Sequence, residues 1–88
     1  MRFHTFEWDD TNVAHIARHA VEPHEVEGVC RGPTLILRGR EGRYLVYGCA
    51  ANGRLLLIVL RSVGGGRVRA ITARDMTDRE RRLYQRRH

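Results

Sequence analysis

The sequence contains no lysine, and its sixteen basic side chains are all arginine, against ten aspartate and glutamate residues. The formal net charge is +6 with histidine neutral. Arginine is planar, stays charged and donates two parallel hydrogen bonds to a phosphate. A compositional bias of the genome would also replace lysine by arginine, so the missing lysine alone has two interpretations. The positive surplus, concentrated in the last third of the chain, indicates a polyanionic partner, with RNA as the first candidate.

Cysteine and long apolar runs are also scarce. Cys30 and Cys49 are too few for a disulfide framework, and we expect both to be small buried residues in a reducing compartment. The longest apolar run, residues 55–60, is too short to cross a bilayer, and residues 1–10 lack a secretory apolar run. Repeats and linkers are missing as well. We therefore expect one domain over residues 1–88, in the cytoplasm and without a membrane partner.

The first third of the chain predicts a short strand followed by two amphipathic helices. The strand rests on alternating side chains, and each helix on apolar residues at three- and four-residue spacing. A carboxylate at Asp9 or Asp10 caps the first helix, and Pro23 suits the first turn of the second. The predicted elements are a strand over residues 3–8, a helix over residues 11–20, and a helix from residue 23 that stops at Gly32-Pro33.

The remainder predicts four strands joined by tight turns and then a final helix. Asn52-Gly53 is the strongest hairpin signal, because both positions tolerate positive φ, and three glycines from Gly64 make another turn. Thr77 and Glu80 match a capping box. The predicted strands cover residues 34–38, 44–50, 55–61 and 68–73, and the predicted helix covers residues 78–87. The whole is an α+β fold: a short N-terminal strand, two helices, a four-stranded antiparallel meander and a C-terminal helix.

Several segments of the chain resemble the BrnT family of type II toxins, and the resemblance extends from Phe6 to Tyr84. They read FEWDDTN, HIARH, EVEGV, GRYLVYG, NGRLLLIVLRS and RVRAITARDMTDRERRLY. The resemblance implies a small ribonuclease with a RelE-like fold that blocks translation and needs no cofactor. It also implies a cognate ribbon-helix-helix antitoxin of the BrnA type, through which alone the toxin reaches operator DNA. The chain departs from the family at Ala20, where glycine is usual, and at Thr72, where serine is usual.

Metal-independent RNA cleavage sets the residue types that a catalytic site needs. A base removes the proton of the ribose 2′-hydroxyl, an acid protonates the leaving oxygen, and cations stabilise the charge on phosphate. Arginine supplies fixed charge, and histidine titrates near neutral pH. We therefore assign Arg61 and Arg74 to charge stabilisation and His19 to proton abstraction. Tyr84 is suited to donate a proton or to stack on a base.

Four further arginines flank or line the predicted strands and are candidates for binding RNA phosphates. The alternative for each is a solvated outer face, where charge deters aggregation. If the strands pair as the hairpin implies, Arg67 rather than Arg74 lies near Arg61, which argues against a simple clamp by the two catalytic arginines. The four candidates are Arg43, Arg54, Arg67 and Arg69.

The catalytic candidates also have structural alternatives. An arginine could pair with Asp75 or Glu80, and Glu25 could hold His19 in place. Tyr84 could pack on the sheet. Helical spacing puts His15 and His19 on one helix face and would allow zinc, but there is no Cys-x-x-Cys to complete a site. We expect no metal. The zinc alternative would combine His15, His19, His24 and Cys30.

An acidic antitoxin would compete with RNA for the same positive charge. We expect it to cover sheet arginines, with the arginine-rich last helix making further contact. A non-catalytic module that binds nucleic acid or the antitoxin is the competing interpretation of the chain. The sheet arginines expected under the antitoxin are Arg54, Arg61, Arg69 and Arg74.

Overall fold

The computed structural model describes residues 5–87. It confirms the predicted α+β class, with five strands and three helices. Phe3 and His4, which belong to the predicted first strand, lie outside the described residues. In chain order the elements are β1 (Thr5–Glu7), α1 (Asp10–Ala17), α2 (Pro23–Arg31), β2 (Thr34–Arg38), β3 (Arg43–Cys49), β4 (Leu55–Gly64), β5 (Arg67–Asp75) and α3 (Asp78–Arg87).

The strands form one sheet in the order β1-β5-β4-β3-β2. Strands β2 to β5 pair as the predicted antiparallel meander. The short β1 adds a fifth strand, parallel to β5, with Phe6 opposite Val68. The first and last strands of the described chain are therefore neighbours in the sheet.

Each side of the sheet carries its own apolar cluster. On one side, called here the helix face, α1 and α2 bury Ile16 and Val26 against Ile58 and other strand residues. Among the described elements, only α3 covers the other side, called here the open face, where Tyr84 packs with Tyr47. The alternation of β4 explains both clusters, because successive side chains point to opposite faces. Leu56, Ile58 and Leu60, predicted as core, lie on the helix face and are inaccessible to solvent.

Helix α1 is shorter than predicted. It ends at Ala17, and the residues up to Ala20 form a turn. Ala20 has a φ of 57°, the left-handed conformation that closes many helices and favours glycine. The backbone N–H of Val21 donates to the carbonyl of Ile16 across this turn, at 3.2 Å. His19 therefore lies beyond the helix, and the prediction that it shares a helix face with His15 is wrong.

Helix α2 approaches the sheet closely at Gly48 of β3. A Cβ atom there would lie 2.7 Å from a methyl carbon of Val29 and 3.2 Å from one of Thr34. Only glycine lets the helix reach this depth. Gly48 therefore sets the distance between α2 and the sheet.

The predicted helix caps are present. Asp9 and Asn12 cap α1 reciprocally, and Thr77 and Glu80 cap α3 in the same way. Within residues 5–87, no helix has the length and apolar content to cross a membrane.

Candidate nucleic-acid interface

Three arginines form a row across the open face. Arg43 of β3 is directly opposite Arg61 of β4, which in turn is opposite Arg69 of β5. Residues directly opposite in an antiparallel pair point to the same side, and Arg43 shares the side of Leu45 and Tyr47, which pack with α3. We call these three residues the arginine row. As predicted, Arg67 rather than Arg74 lies near Arg61, although an irregularity in the pairing of β4 with β5 makes Arg69 the residue directly opposite.

The arginine row is only partly neutralised. Arg69 forms an ion pair with Asp9 (Nη2–Oδ2, 2.9 Å), and nearby Arg67 forms one with Glu7 (Nη1–Oε2, 3.0 Å). The Asn12 backbone N–H and then the Arg69 guanidinium hold the pKa of the Asp9 carboxyl below its ordinary value. Over the described part of the chain, neither Arg43 nor Arg61 has a carboxylate partner, and both are exposed. Directly opposed like charges destabilise a sheet, so an anion bound between Arg43 and Arg61 would relieve their repulsion.

An apolar strip borders the row on the open face. Leu37, Leu45 and Val59 lie side by side on β2, β3 and β4, and Thr72 of β5 continues the line. All four are half-buried. The strip separates the arginine row from a second polar group near α3.

The second group centres on Arg74 at the end of β5. Its guanidinium binds Glu80 with two hydrogen bonds, Nη1–Oε1 at 2.7 Å and Nη2–Oε2 at 3.0 Å. This pairing raises the pKa of Arg74 and lowers the pKa of Glu80. Burial, followed by the charge of Glu80, raises the pKa of the Tyr47 hydroxyl. The structural alternative considered for Arg74, an ion pair with Glu80, is therefore present.

Tyr84, a residue of α3, lies on the side of the helix that packs on the sheet and not on the exposed side. Its residue surface is 5% exposed, and it packs against Leu57, Tyr47 and Met76. Burial and then the neighbouring Cys49 raise the pKa of its phenol. The phenol thus stays protonated at neutral pH, as a proton donor must.

Arg54, immediately before β4, joins three parts of the fold. Its guanidinium donates to the carbonyl of Ala20 (2.6 Å), the carbonyl of His19 (3.1 Å) and the Asp75 carboxylate (3.1 Å). The two carbonyls belong to the turn that follows α1, so Arg54 supplies hydrogen-bond donors to backbone carbonyls just beyond the end of the helix. Glu25 lies 3.8 Å away. These contacts occupy the Arg54 side chain in holding the turn to the sheet.

The contacts of Arg54 also locate His19. The His19 backbone, Arg54 and Asp75 form a chain of hydrogen bonds that reaches Arg74, whose Nη1 donates to the Asp75 carbonyl at 3.1 Å. His19 is exposed. These residues lie at one end of the sheet, together with Glu80 and Tyr84. We call the group of His19, Arg54, Arg74, Glu80 and Tyr84 the end cluster. Glu25, suggested as a partner of His19, instead accepts from Asn52 and the Glu22 backbone.

The eight predicted site residues therefore divide between two places. Arg74 is directly opposite Leu57, which precedes Arg61 by four residues on β4. The two arginines are therefore separated by about 13 Å along the strand. They do not form a compact clamp on one phosphate. The arginine row and its neighbour hold Arg43, Arg61, Arg67 and Arg69, and the end cluster holds His19, Arg54, Arg74 and Tyr84.

Metal-binding side chains are dispersed. In the part of the chain that the structure describes, no three histidine, cysteine, aspartate or glutamate side chains are arranged to hold an ion. The zinc set of three histidines and Cys30 is therefore not assembled. Cys30 is partly buried, and burial followed by Glu27 raises the pKa of its thiol to about 12. Cys49 is exposed, so the expectation that both cysteines are buried is wrong for Cys49.

Tyr47 was not anticipated from the sequence as a member of the second polar group. Glu80 was expected as a helix cap and as a possible ion-pair partner of an arginine, and one carboxylate makes both contacts. A signal for Tyr47 was its alternation in phase with Arg43, which puts both on the open face.

Fold and surface together define a small α+β protein with exposed arginines on its open sheet face. Residues 8–80 match the family described as ribonuclease toxin, BrnT, of type II toxin-antitoxin systems. The chain belongs to this family. It is thus a ribonuclease toxin whose partner is a cognate antitoxin. No curated protein matches the chain.

Proposed function

We propose that this toxin cleaves RNA by metal-independent transesterification and thereby blocks translation. The observation that carries the proposal is the Arg43–Arg61 pair, directly opposed and exposed on the open face without a carboxylate partner among residues 5–87. Such a pair is unfavourable by itself and becomes favourable when a phosphate lies between the two guanidiniums.

The RNA strand lies on the open face, from the arginine row to the end cluster. Arg43, Arg61 and Arg69 hold phosphates on one side of the apolar strip. The strip of Leu37, Leu45 and Val59 offers a surface for bases, and Arg67 adds charge at the margin. The separation of about 13 Å along β4 fits contacts to different phosphates of one strand better than a shared one.

The reaction takes place at the end cluster. The ribose 2′-oxygen attacks phosphorus, a new oxygen–phosphorus bond forms, and the bond to the 5′-oxygen breaks. His19 removes the 2′-hydroxyl proton, and Tyr84 supplies the proton that the 5′-oxygen takes. Arg74, oriented by Glu80, stabilises the charge on the phosphoryl oxygens. The products are a 2′,3′-cyclic phosphate and a 5′-hydroxyl.

Arg54 has a different role from the other candidate arginines in this proposal. Its hydrogen bonds to the turn after α1 and to Asp75 fix His19 relative to Arg74. Arg54 therefore acts as a positioning residue, and its effect on RNA is indirect.

The antitoxin is of the ribbon-helix-helix type in this proposal. Its acidic side chains bind the arginine row, and its bulk excludes RNA. The support is charge complementarity: a net charge of +6 favours a negatively charged partner, and so does the Arg43–Arg61 pair, which has no carboxylate partner within residues 5–87.

The test is cleavage of RNA by the purified chain in the presence of a chelator. We expect wild-type protein to release products with 2′,3′-cyclic phosphate ends. Arg74→Ala should lower kcat by about 10²–10³-fold, the typical loss when one group that stabilises the transition state is removed. Arg61→Ala should chiefly raise KM, because it holds a phosphate away from the reacting one. Arg31→Ala, exposed on α2, is the matched control and should leave both constants unchanged.

Three outcomes would contradict the proposal. Activity that is lost with chelator and returns with zinc or magnesium would show a metal enzyme. Products with 5′-phosphate ends would exclude attack by the 2′-hydroxyl. Full activity of both Arg61→Ala and Arg74→Ala would place the site elsewhere.

A second candidate function is a non-catalytic module that binds RNA or the antitoxin. It is favoured by the closed state of the end cluster, where Glu80 already occupies Arg74 and α3 buries Tyr84. This alternative would be established if the protein binds RNA on the open face and binds its antitoxin but does not cleave RNA.

A further inference from the structure

The outer side of α3 carries a second group of arginines that the proposed site does not use. Arg79, Arg82 and Arg86 recur at spacings of three and four residues and are all exposed. At 3.6 residues per turn they lie within about 60° of one another around the helix axis, and their centre is about 180° from Tyr84. We call these three residues the helix stripe. It points away from the side of α3 that packs on the sheet.

The acidic residues of its own helix neutralise the helix stripe only in part: the hydrogen bond and charge of Arg81 and, after them, the charge of Arg82 lower the pKa of Asp78. Asp78 pairs with Arg81, and Glu80 pairs with Arg74 of β5. Both carboxylates of α3 are thereby taken. Among residues 5–87 no carboxylate forms an ion pair with any member of the stripe.

Helix stability does not explain the stripe. Like charges three and four residues apart repel one another on a helix surface. The helix dipole favours Arg86 in the last turn but disfavours Arg79 in the first turn, where acidic residues are preferred. The arrangement therefore weakens the helix that presents it.

The chemistry of the stripe fits a phosphate backbone better than a protein. Together with Gln85, its arginines line one surface concavity, and among residues 5–87 no apolar side chain contributes to the lining. Protein interfaces have a central patch of apolar and aromatic residues, which the described lining of this concavity does not have. Arginine and glutamine side chains are regular partners of nucleic-acid phosphates.

We propose that the helix stripe is a second contact surface for the phosphates of substrate RNA, separate from the open face of the sheet. The toxin then holds its RNA at two places, on the sheet and around the outside of α3. This favours RNA long enough to reach both surfaces over short fragments. The inference rests on the proposed RNA substrate, but on different residues.

The test is the salt dependence of RNA binding. The probe is polyuridylate RNA with 2′-O-methyl groups, which lacks the free 2′-hydroxyl that cleavage requires. Each phosphate contact contributes about 0.7 to the slope of log affinity against log salt for single strands. Arg79→Gln/Arg82→Gln should lower this slope by about 1.4. The control Arg18→Gln/Arg31→Gln removes two exposed charges beside α1 and α2, and should leave the slope unchanged.

Two outcomes would overturn the inference. A slope in the stripe variant equal to that of wild type would show that these arginines do not meet phosphate. Loss of antitoxin affinity with an unchanged RNA slope would make the stripe a protein-binding surface instead. Failure of the proposed function is a separate observation, because it appears as the inability of wild-type protein to cleave unmodified RNA.

Discussion

Ala20 occupies the left-handed position that ends the turn after α1, with a φ of 57°. An L-residue in this conformation costs about 1–2 kcal/mol, which glycine avoids. Its carbonyl accepts from Arg54 at 2.6 Å, so the strained residue lies at the junction between α1 and the end cluster. The strain is tolerated because Arg54 and the hydrogen bond from Val21 to Ile16 both hold the turn.

We expect Ala20→Gly to stabilise the protein by about 0.5–1 kcal/mol, since relief of strain exceeds the greater freedom of glycine in the unfolded chain. Urea unfolding monitored by circular dichroism measures the change. Ala14→Gly, exposed within α1, is the control and should destabilise by about 0.5–1 kcal/mol. A loss of stability in Ala20→Gly similar to that of the control would show that the turn is not strained.

At the scale of single elements, the close approach of α2 to β3 depends on one missing side chain. Gly48→Ala would bring a methyl group within 2.7 Å of Val29. We expect a destabilisation of about 1–3 kcal/mol, as for other overpacked cores. Gly28→Ala, in α2 with no atom near the added carbon, should instead stabilise by up to about 1 kcal/mol.

A double mutant separates overpacking from other causes. Val29→Ala in the Gly48→Ala background should restore part of the lost stability, so the two changes cost less together than the sum of each alone. Strict additivity would mean that the Val29 contact is not responsible.

The pairing of α3 with β5 makes stability depend on pH. Arg74 lowers the pKa of Glu80 below its ordinary 4.5. The ionised carboxylate therefore stabilises the folded state fully above about pH 4.5, and the contribution is lost as pH falls through the lowered pKa. We expect the stability difference between wild type and Glu80→Gln to shrink over that range, because glutamine keeps the cap without the charge.

The measurement is urea unfolding of both proteins from neutral pH down to about pH 3, below the ordinary carboxyl pKa. Glu41→Gln, in the loop before β3, controls for the change in net charge. A difference between wild type and Glu80→Gln that stays constant over the whole range would contradict the assignment.

Local chemistry explains which elements were predictable. Asp9, Pro23, the Asn52-Gly53 turn and the Thr77–Glu80 box specify helix starts and hairpins within a few residues of sequence, and each was recognised. The end of α1 was missed because Ala20 carries no glycine signal. The parallel pairing of β1 with β5 joins residues 62 positions apart, Thr5 and Arg67, and nothing local encodes it.

At the scale of the whole molecule, the sequence yields candidate site residues but not their arrangement in space. Strand alternation assigns Arg43 and Arg69 to the same face only when the register of the strand pairs is known. An irregularity near Val59 changes the register between β4 and β5. Glu80 both caps α3 and binds Arg74 of β5, and Arg54 binds Asp75, which is 21 residues away, so each side chain contacts a different element. Both contacts arise from tertiary packing, which periodicity does not describe.

We expect the antitoxin and RNA to exclude one another on the open face. Arg43 and Arg61, exposed in the free toxin, should react readily with an arginine-specific reagent and be protected in the complex. Mass spectrometry of peptides after modification measures both sites. Arg31, away from this face on α2, should react equally in free and bound toxin. A ternary complex that binds RNA and leaves Arg61 reactive would rule out steric occlusion.

The parallel pairing of β1 with β5 also bears on how the chain folds. Val68, opposite Phe6, is added only after most of the chain has been synthesised, and α1 packs on β5 as well. Contacts so remote in sequence close slowly and late, since the loop entropy is lost before they form. An incomplete chain lacking β5 has no partner for β1 and lacks both Arg69 of the arginine row and Arg74 of the end cluster. We therefore expect the nascent chain to lack ribonuclease activity until β5 has been synthesised and has paired with β1 and β4.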